Sequence, residues 1–238
     1  MPQHIFEMSD KFIGKWVFPL DDSLLEHSGR RGEHYKSEII AADIVEKMHF
    51  RHEDIVLDIC CGNGILTTFI AKSCKEIHGV DHSEILIRSA QKLKTEEKVS
   101  NFRLHLQDVF QIEKKFGKNY FDKSYCYFSF QYFNKKKRTD LLKQLSHVTK
   151  KDGLIFLGDM PDADRMKNYY KSPQKFYREK ISRFIKLKEG ECFLGWWIHP
   201  QEILDWCTKN NLSASILPQV NLPHAHYRFD VLIRNSKK

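Results

Sequence analysis

Ile55-Val56-Leu57-Asp58-Ile59-Cys60-Cys61-Gly62-Asn63-Gly64 is the stretch on which the reading of this chain turns. Ile55 to Ile59 is a β-branched and leucine run holding one carboxylate, the pattern of a strand buried on both faces of a parallel sheet and ending at Asp58. Cys60 to Gly64 is a turn. Gly62 and Gly64 let the backbone approach a ligand, and the amphipathic run Ile65 to Lys72 then opens a helix whose leading N–H groups face that ligand. Strand, glycine turn and helix predict a cradle for a nucleotide-like molecule.

Downstream the pattern repeats. Glu76-Ile77-His78-Gly79-Val80-Asp81 predicts a second strand, with Asp81 placed 17 residues after Gly64. A carboxylate there can accept both hydroxyls of a ribose. His82-Ser83 begins a helix with Ile85, Leu86, Ser89, Ala90 and Leu93 on one face. Phe102 to Leu106 predicts a third strand, followed by Gln107-Asp108-Val109. A nicotinamide or flavin fingerprint would read G-x-G-x-x-G, but Thr67 stands at the third glycine position. Asp58 can instead fix the glycine turn by accepting its N–H groups, and can attract a cationic amino group.

The stretch V-L-D-I-C-C-G-N-G, with Asp81 and Asp108 in order after it, resembles the motifs of class I S-adenosylmethionine-dependent methyltransferases, with Cys60 in place of the first glycine of the motif. A generic nucleotide-binding turn is the alternative. The resemblance implies an α/β fold, a Rossmann-like doubly wound sheet of seven strands, mostly parallel, with the antiparallel last strand inserted between strands five and six. It implies S-adenosyl-L-methionine as cofactor and S-adenosyl-L-homocysteine as product. Asp58, Cys60, Gly62, Gly64, Asp81, His82, Asp108, Val109 and Tyr127 are the implied cofactor-binding residues, with Asp108 receiving the adenine amino group.

The remaining elements follow the same order. A helix is predicted from Ser37 to His49, before the first strand. Tyr120-Phe121-Asp122 leads into strand four, Lys123 to Phe128, which is more polar than usual. The basic turn Lys135-Lys136-Lys137-Arg138 precedes a helix over Asp140 to Val148, and the turn Lys151-Asp152-Gly153 precedes strand five, Leu154 to Gly158. Pro200 suits the first turn of a helix ending near Asn211, and Ser213 to Leu217 and Tyr227 to Arg234 are the last strands. A single domain over 1–238 is expected, with an N-terminal cover over 1–38 and a basic, aromatic helical lid over 160–198.

Six cysteines without paired metal spacing read as reduced thiols, and no metal is expected. No apolar run approaches the roughly 18 residues of a membrane span, so a cytoplasmic protein without membrane contact is expected. The net charge is +8, and between Asp164 and Lys188 nine Lys or Arg stand against two acids. This favours a small anionic acceptor. A loose likeness of Gly158-Asp159-Met160-Pro161 and His226-Tyr227-Arg228-Phe229-Asp230 to enzymes of surface-polysaccharide synthesis suggests a sugar phosphate or nucleotide sugar. The alternatives are methylation of RNA and cofactor binding without catalysis. Tyr127-Phe128-Ser129-Phe130 stands where enzymes acting on nucleic-acid bases carry N-P-P-Y or D-P-P-Y.

In the resembled topology the loop Pro218 to His226 reaches the site edge. Tyr35, Gln131, Tyr132, Tyr227 and Arg228 are then candidate substrate contacts. An oxygen acceptor needs a general base, and His226, His224, Asp159 and His199 are the candidates.

Overall fold

The computed structural model describes residues 37–170, 172, 174, 177, 195–219, 222 and 224–236. The expected cover over 1–38, with Tyr35 but without its last two residues, and most of the expected lid lie outside the described residues.

Seven strands form one sheet: β1 (Ile55–Ile59), β2 (Glu76–Asp81), β3 (Phe102–Leu106), β4 (Phe121–Tyr127), β5 (Thr149–Pro161), β6 (Ser213–Leu217) and β7 (Arg228–Arg234). Their order is β3-β2-β1-β4-β5-β7-β6. The pairs β1–β2, β1–β4, β2–β3 and β4–β5 are parallel, whereas β7 runs antiparallel to β5 and β6. Chain reversal occurs between β1 and β4, so the carboxyl ends of these two strands open a crevice, the usual ligand position in such sheets.

Alternate side chains of each strand go to opposite faces. Leu57 and Ile59 join one apolar layer with α5 (Lys135–Val148) and α7 (Pro200–Lys209). Val56 joins the other with α1 (Ser37–Met48) and α2 (Ile65–Ile70). α3 (Glu84–Glu96) packs on β2 and β3. It buries Ala90 and Leu93 but leaves Ile85 half exposed, so the predicted apolar face of this helix is narrower than its spacing suggested. Two short helices, α4 (Ile112–Phe116) and α6 (Met166–Tyr169), also lie among the described residues.

Two elements begin well before their expected starts. α5 begins at Lys135, because the Asn134 side chain accepts the Lys137 N–H at 3.0 Å and turns the basic run into the first helical turn. β5 begins at Thr149 and passes through Asp152 at φ +61°, so Lys151-Asp152-Gly153 is an irregularity within a long strand.

The polar residues of β4 each have a task. Lys123 pairs with Asp54 beneath α1 and donates to the His49 carbonyl at 2.5 Å, Ser124 bonds Thr149 at 2.7 Å, and Tyr125 lies beside Asp58. Because Lys123 and Asp54 are both buried, removing either one would strand a charge, at about 3–5 kcal/mol.

Candidate cofactor and acceptor site

The turn after β1 is left-handed at three positions: Cys60 at φ +58°, Gly62 at +58° and Gly64 at +77°. At Gly64 an added Cβ would lie 2.9 Å from Ala90 Cβ, so the absence of a side chain lets α2 approach α3. At Gly62 no atom of the described residues lies within 4 Å of that position, so among them the turn is open toward the crevice. Cys60 is not a glycine and holds the same conformation at a cost of about 1–2 kcal/mol. The Cys126 thiol alongside it, together with burial, pushes the Cys60 thiol well up, so it stays protonated.

Asp58 does not fix this turn as expected. Its Oδ2 accepts the Thr67 hydroxyl at 2.6 Å, and the Gly62 N–H goes to Asp81 Oδ2 at 3.0 Å. Thr67, at the missing third glycine, therefore tethers the new helix back to the strand end. Burial pushes the Asp58 carboxyl up to about 7, with the Thr67 and Tyr125 hydroxyls opposing and Asp81 adding to the rise. Asp58 is thus poised to ionise against an incoming cation.

Asp81 also accepts the Ser83 N–H through Oδ1 at 2.9 Å, with His82 Nδ1 3.6 Å away. Asp108 Oδ1 caps the next turn by accepting Phe110 N–H at 2.9 Å, and Val109 is buried beside it. The Tyr127 ring lies across Gly158, where a Cβ would sit 2.5 Å from Tyr127 Cδ2. All the predicted cofactor residues thus stand at the carboxyl ends of β1 to β4 or in the turns that follow. An adenosyl group with a cationic amino-acid tail fits this set: an open turn, three carboxylates in series and an apolar shelf.

The facing wall is built by β5, β7 and their loops. Asp159, at φ +62°, is fully buried. Its Oδ2 lies 3.2 Å from Arg228 Nη1, its Oδ1 accepts Gln219 Nε2 at 3.2 Å, and its N–H donates to Asp230 Oδ1 at 2.8 Å. Asp230 in turn binds Lys47 of α1 at 2.7 Å. Asp159, a candidate base, is thus anchored from three sides in the free protein. Arg228, only 2% exposed, carries its guanidinium carbon 4.9 Å from the Phe128 ring centre and 5.3 Å from that of Tyr227. It acts on the floor of the cleft, not as an exposed contact.

Both loop histidines flank the Tyr227 ring, His224 at 5.4 Å and His226 at 4.9 Å between centroids. His226 is exposed. His199 differs: it lies at the surface, bonded to Asp164 at 2.8 Å, and is not grouped with the loop histidines in these contacts. Gln131 is buried, donates to the Phe128 carbonyl at 3.0 Å, and accepts the Trp196 N–H on its backbone oxygen at 2.7 Å. Gly195 makes that approach feasible, since a Cβ would lie 2.6 Å from the Gln131 oxygen. Tyr132 packs edge-on to Phe128 at 6.2 Å.

Sequence reading missed the Lys47–Asp230–Gln219–Asp159–Arg228 network and the aromatic partners Tyr169 and Trp197. One signal was available: Arg228 and Asp230 occupy alternate positions on one face of an otherwise apolar strand, which requires buried partners.

The fold and the arrangement of the site are similar to those of Rossmann-like, S-adenosylmethionine-dependent methyltransferase domains. The methyltransferase-domain family profile matches residues 56–153. Among characterised proteins, the chain is 37% identical over 82 residues to the "Probable cobalt-precorrin-6B C(15)-methyltransferase (decarboxylating)" of Methanococcus vannielii, covering 34% of this chain and 46% of that protein. The match thus spans less than half the length of that relative. Among solved structures, an S-adenosylmethionine-dependent methyltransferase from Aquifex aeolicus aligns with TM-score 0.60 at 12% identity, over 94% of this chain and 97% of that one. The YcgJ protein of Bacillus subtilis aligns with TM-score 0.62 at 16% identity, over 82% and 96%. At these identities the structural likeness concerns the fold. No helix among the described residues is long and apolar enough to cross a membrane.

Proposed function

We propose that the protein transfers a methyl group from S-adenosylmethionine to an oxygen or nitrogen of a small acceptor held where the carboxyl ends of β4 and β5 meet the amino end of β7. The observation that carries this reading is the series Asp58, Asp81 and Asp108 at successive strand ends, with Asp81 holding the Gly62 turn. The sulfonium supplies an electrophilic methyl group, so the chain has only to align the acceptor, exclude water and take a proton. His226 and His224 are the proposed bases, since a neutral imidazole suits proton removal near pH 7.

Asp58 and Asp81 hold the amino and ribose ends of the cofactor, and His82 and Val109 border the adenine. The acceptor's anionic character rests on the run Arg165 to Lys188, and sugar phosphates and nucleotide sugars head the substrate panel. Arg165 itself is engaged by Asp162 at 2.7 Å and by the Ala225 and Arg228 carbonyls at 3.0 and 2.5 Å. The anion therefore falls to the cations that follow it.

Calorimetry with S-adenosylhomocysteine, then radiolabelled methyl transfer across sugar phosphates, nucleotide sugars, small amines and bulk RNA, tests the reading. Binding abolished by Asp58→Ala with Asp81→Ala, and turnover on a small acceptor, support it; no binding to the intact protein overturns it. His226→Ala is expected to lower kcat by about 10²- to 10⁴-fold with cofactor affinity unchanged.

A further inference from the structure

Tyr169, Trp197 and Tyr227 form a herringbone of rings at the acceptor edge. Tyr169 lies 5.0 Å from Tyr227 at 68°, and 5.8 Å from Trp197 at 65°. Tyr170 packs on Tyr169 at 4.9 Å. Tyr227 is buried, whereas Tyr169 and Trp197 are half-buried and present part of their rings outward.

The group is held as one unit. Ala163 N–H donates to the Ile198 carbonyl at 2.9 Å and Ile198 N–H to Pro161 at 2.9 Å, which fixes Trp197 beside β5. Asn168 Nδ2 donates to the His226 carbonyl at 2.8 Å, which fixes the histidine loop to the helix bearing Tyr169. The rings and the proposed bases therefore keep a set spacing.

An aromatic wall of this kind takes either a cation or another flat ring. The cation place on Tyr227 is already filled by the Arg228 guanidinium, and a second positive charge would meet it at close range. A flat, uncharged ring meets no such opposition and continues the edge-to-face pattern.

Building on the proposed methyl transfer, we propose that the acceptor presents a planar aromatic or heteroaromatic ring to Tyr169, Trp197 and Tyr227, with its hydroxyl or amino group turned toward His226 and His224. Of the two anionic classes that head the substrate panel, a nucleotide sugar carries such a ring in its base and a sugar phosphate does not.

The test isolates the ring from the charge and the hydroxyl. Binding of 4-hydroxybenzoate is compared with that of trans-4-hydroxycyclohexanecarboxylate by calorimetry, with S-adenosylhomocysteine saturating. S-adenosylhomocysteine binding is measured first, and its absence would indict the methyltransferase reading rather than the ring. The aromatic acid is expected to bind about five- to ten-fold more tightly. Trp197→Ala or Tyr169→Ala should remove that preference and leave S-adenosylhomocysteine affinity unchanged, and Tyr169→Phe should keep it. Equal binding of the two acids, tighter binding of the saturated acid or of glucose 1-phosphate, or no detectable binding of the aromatic acid at millimolar concentration overturns the proposal.

Discussion

Asp81 Oδ2 accepts the Gly62 N–H at 3.0 Å, so the residue at the end of β2 holds the turn that follows β1. The two strand ends are therefore coupled before any cofactor arrives. Asp81→Ala removes the acceptor of Gly62 and Ser83 together with a proposed ribose contact. We expect S-adenosylhomocysteine affinity to fall by about 10- to 100-fold, equivalent to about 1–3 kcal/mol, and the melting temperature of the free protein to drop as well. Calorimetry and thermal denaturation read the two effects separately. A change in neither would show that Asp81 holds nothing.

Asp58 gives a pH dependence to cofactor binding. Its folded-state value of about 7 is raised from the ordinary 3.8, chiefly by burial. For the free protein, the stability linked to this group is fully present below its unfolded value and is lost as pH rises through about 7. For an ammonium-bearing ligand the sign is opposite, because only ionised Asp58 attracts it. S-adenosylhomocysteine should bind roughly ten-fold more tightly at pH 8 than at pH 6. In Asp58→Asn the profile should be flat, and a wild-type profile that is equally flat would refute the contact.

Cys60 occupies a left-handed conformation at φ +58° that glycine adopts without strain. Cys60→Gly should raise stability by up to about 1 kcal/mol, less what the thiol contributes by packing. Cys60→Val should lower stability clearly, since a β-branched residue is poorest in this region. Urea denaturation of the three proteins ranks them, and a valine variant as stable as the glycine one contradicts the strain.

The histidines of β2 and β3 set the acid limit of the fold. Glu76 accepts His78 Nε2–H at 2.6 Å, so His78 Nδ1 is left to accept His105 Nε2–H at 3.0 Å; the rings stack 5.1 Å apart. Burial and then His78 hold His105 down at about 4. The folded state therefore binds fewer protons than the unfolded state between about pH 6.5 and 4, and stability falls as pH falls through that window. His105→Phe should flatten this slope relative to the wild type in melting curves taken from pH 7 to 4. An unchanged slope would mean that the pair titrates normally.

How far the sequence could be read depended on whether a residue's role is set locally. Ile55 to Gly64 carried strand, turn and helix because alternation, glycine conformation and amphipathic spacing are all properties of adjacent residues. The antiparallel β7 came from resemblance, and its register with β5 confirms that placement. The anchoring of Asp159 was not legible because its partners Gln219, Arg228 and Asp230 lie 60 or more positions away, and a buried carboxylate looks the same in sequence as a catalytic one. Thr67 was read as a missing glycine, whereas its bond to Asp58 depends on where the helix returns to the strand.

The position of β7 also governs the order in which the sheet can be completed. Among the described strands β6 pairs with β7 alone, and Lys47 of the first described helix waits for Asp230, 183 positions later. On a ribosome adding about 5–20 residues per second, β6 emerges about a second or more before the strand that receives it. During that interval the edge of β5 stands open, and Lys47 and Asp159 lack the partners that Arg228 and Asp230 provide. Closing the edge and neutralising the buried charges are thus one late event in synthesis, carried by the same seven residues.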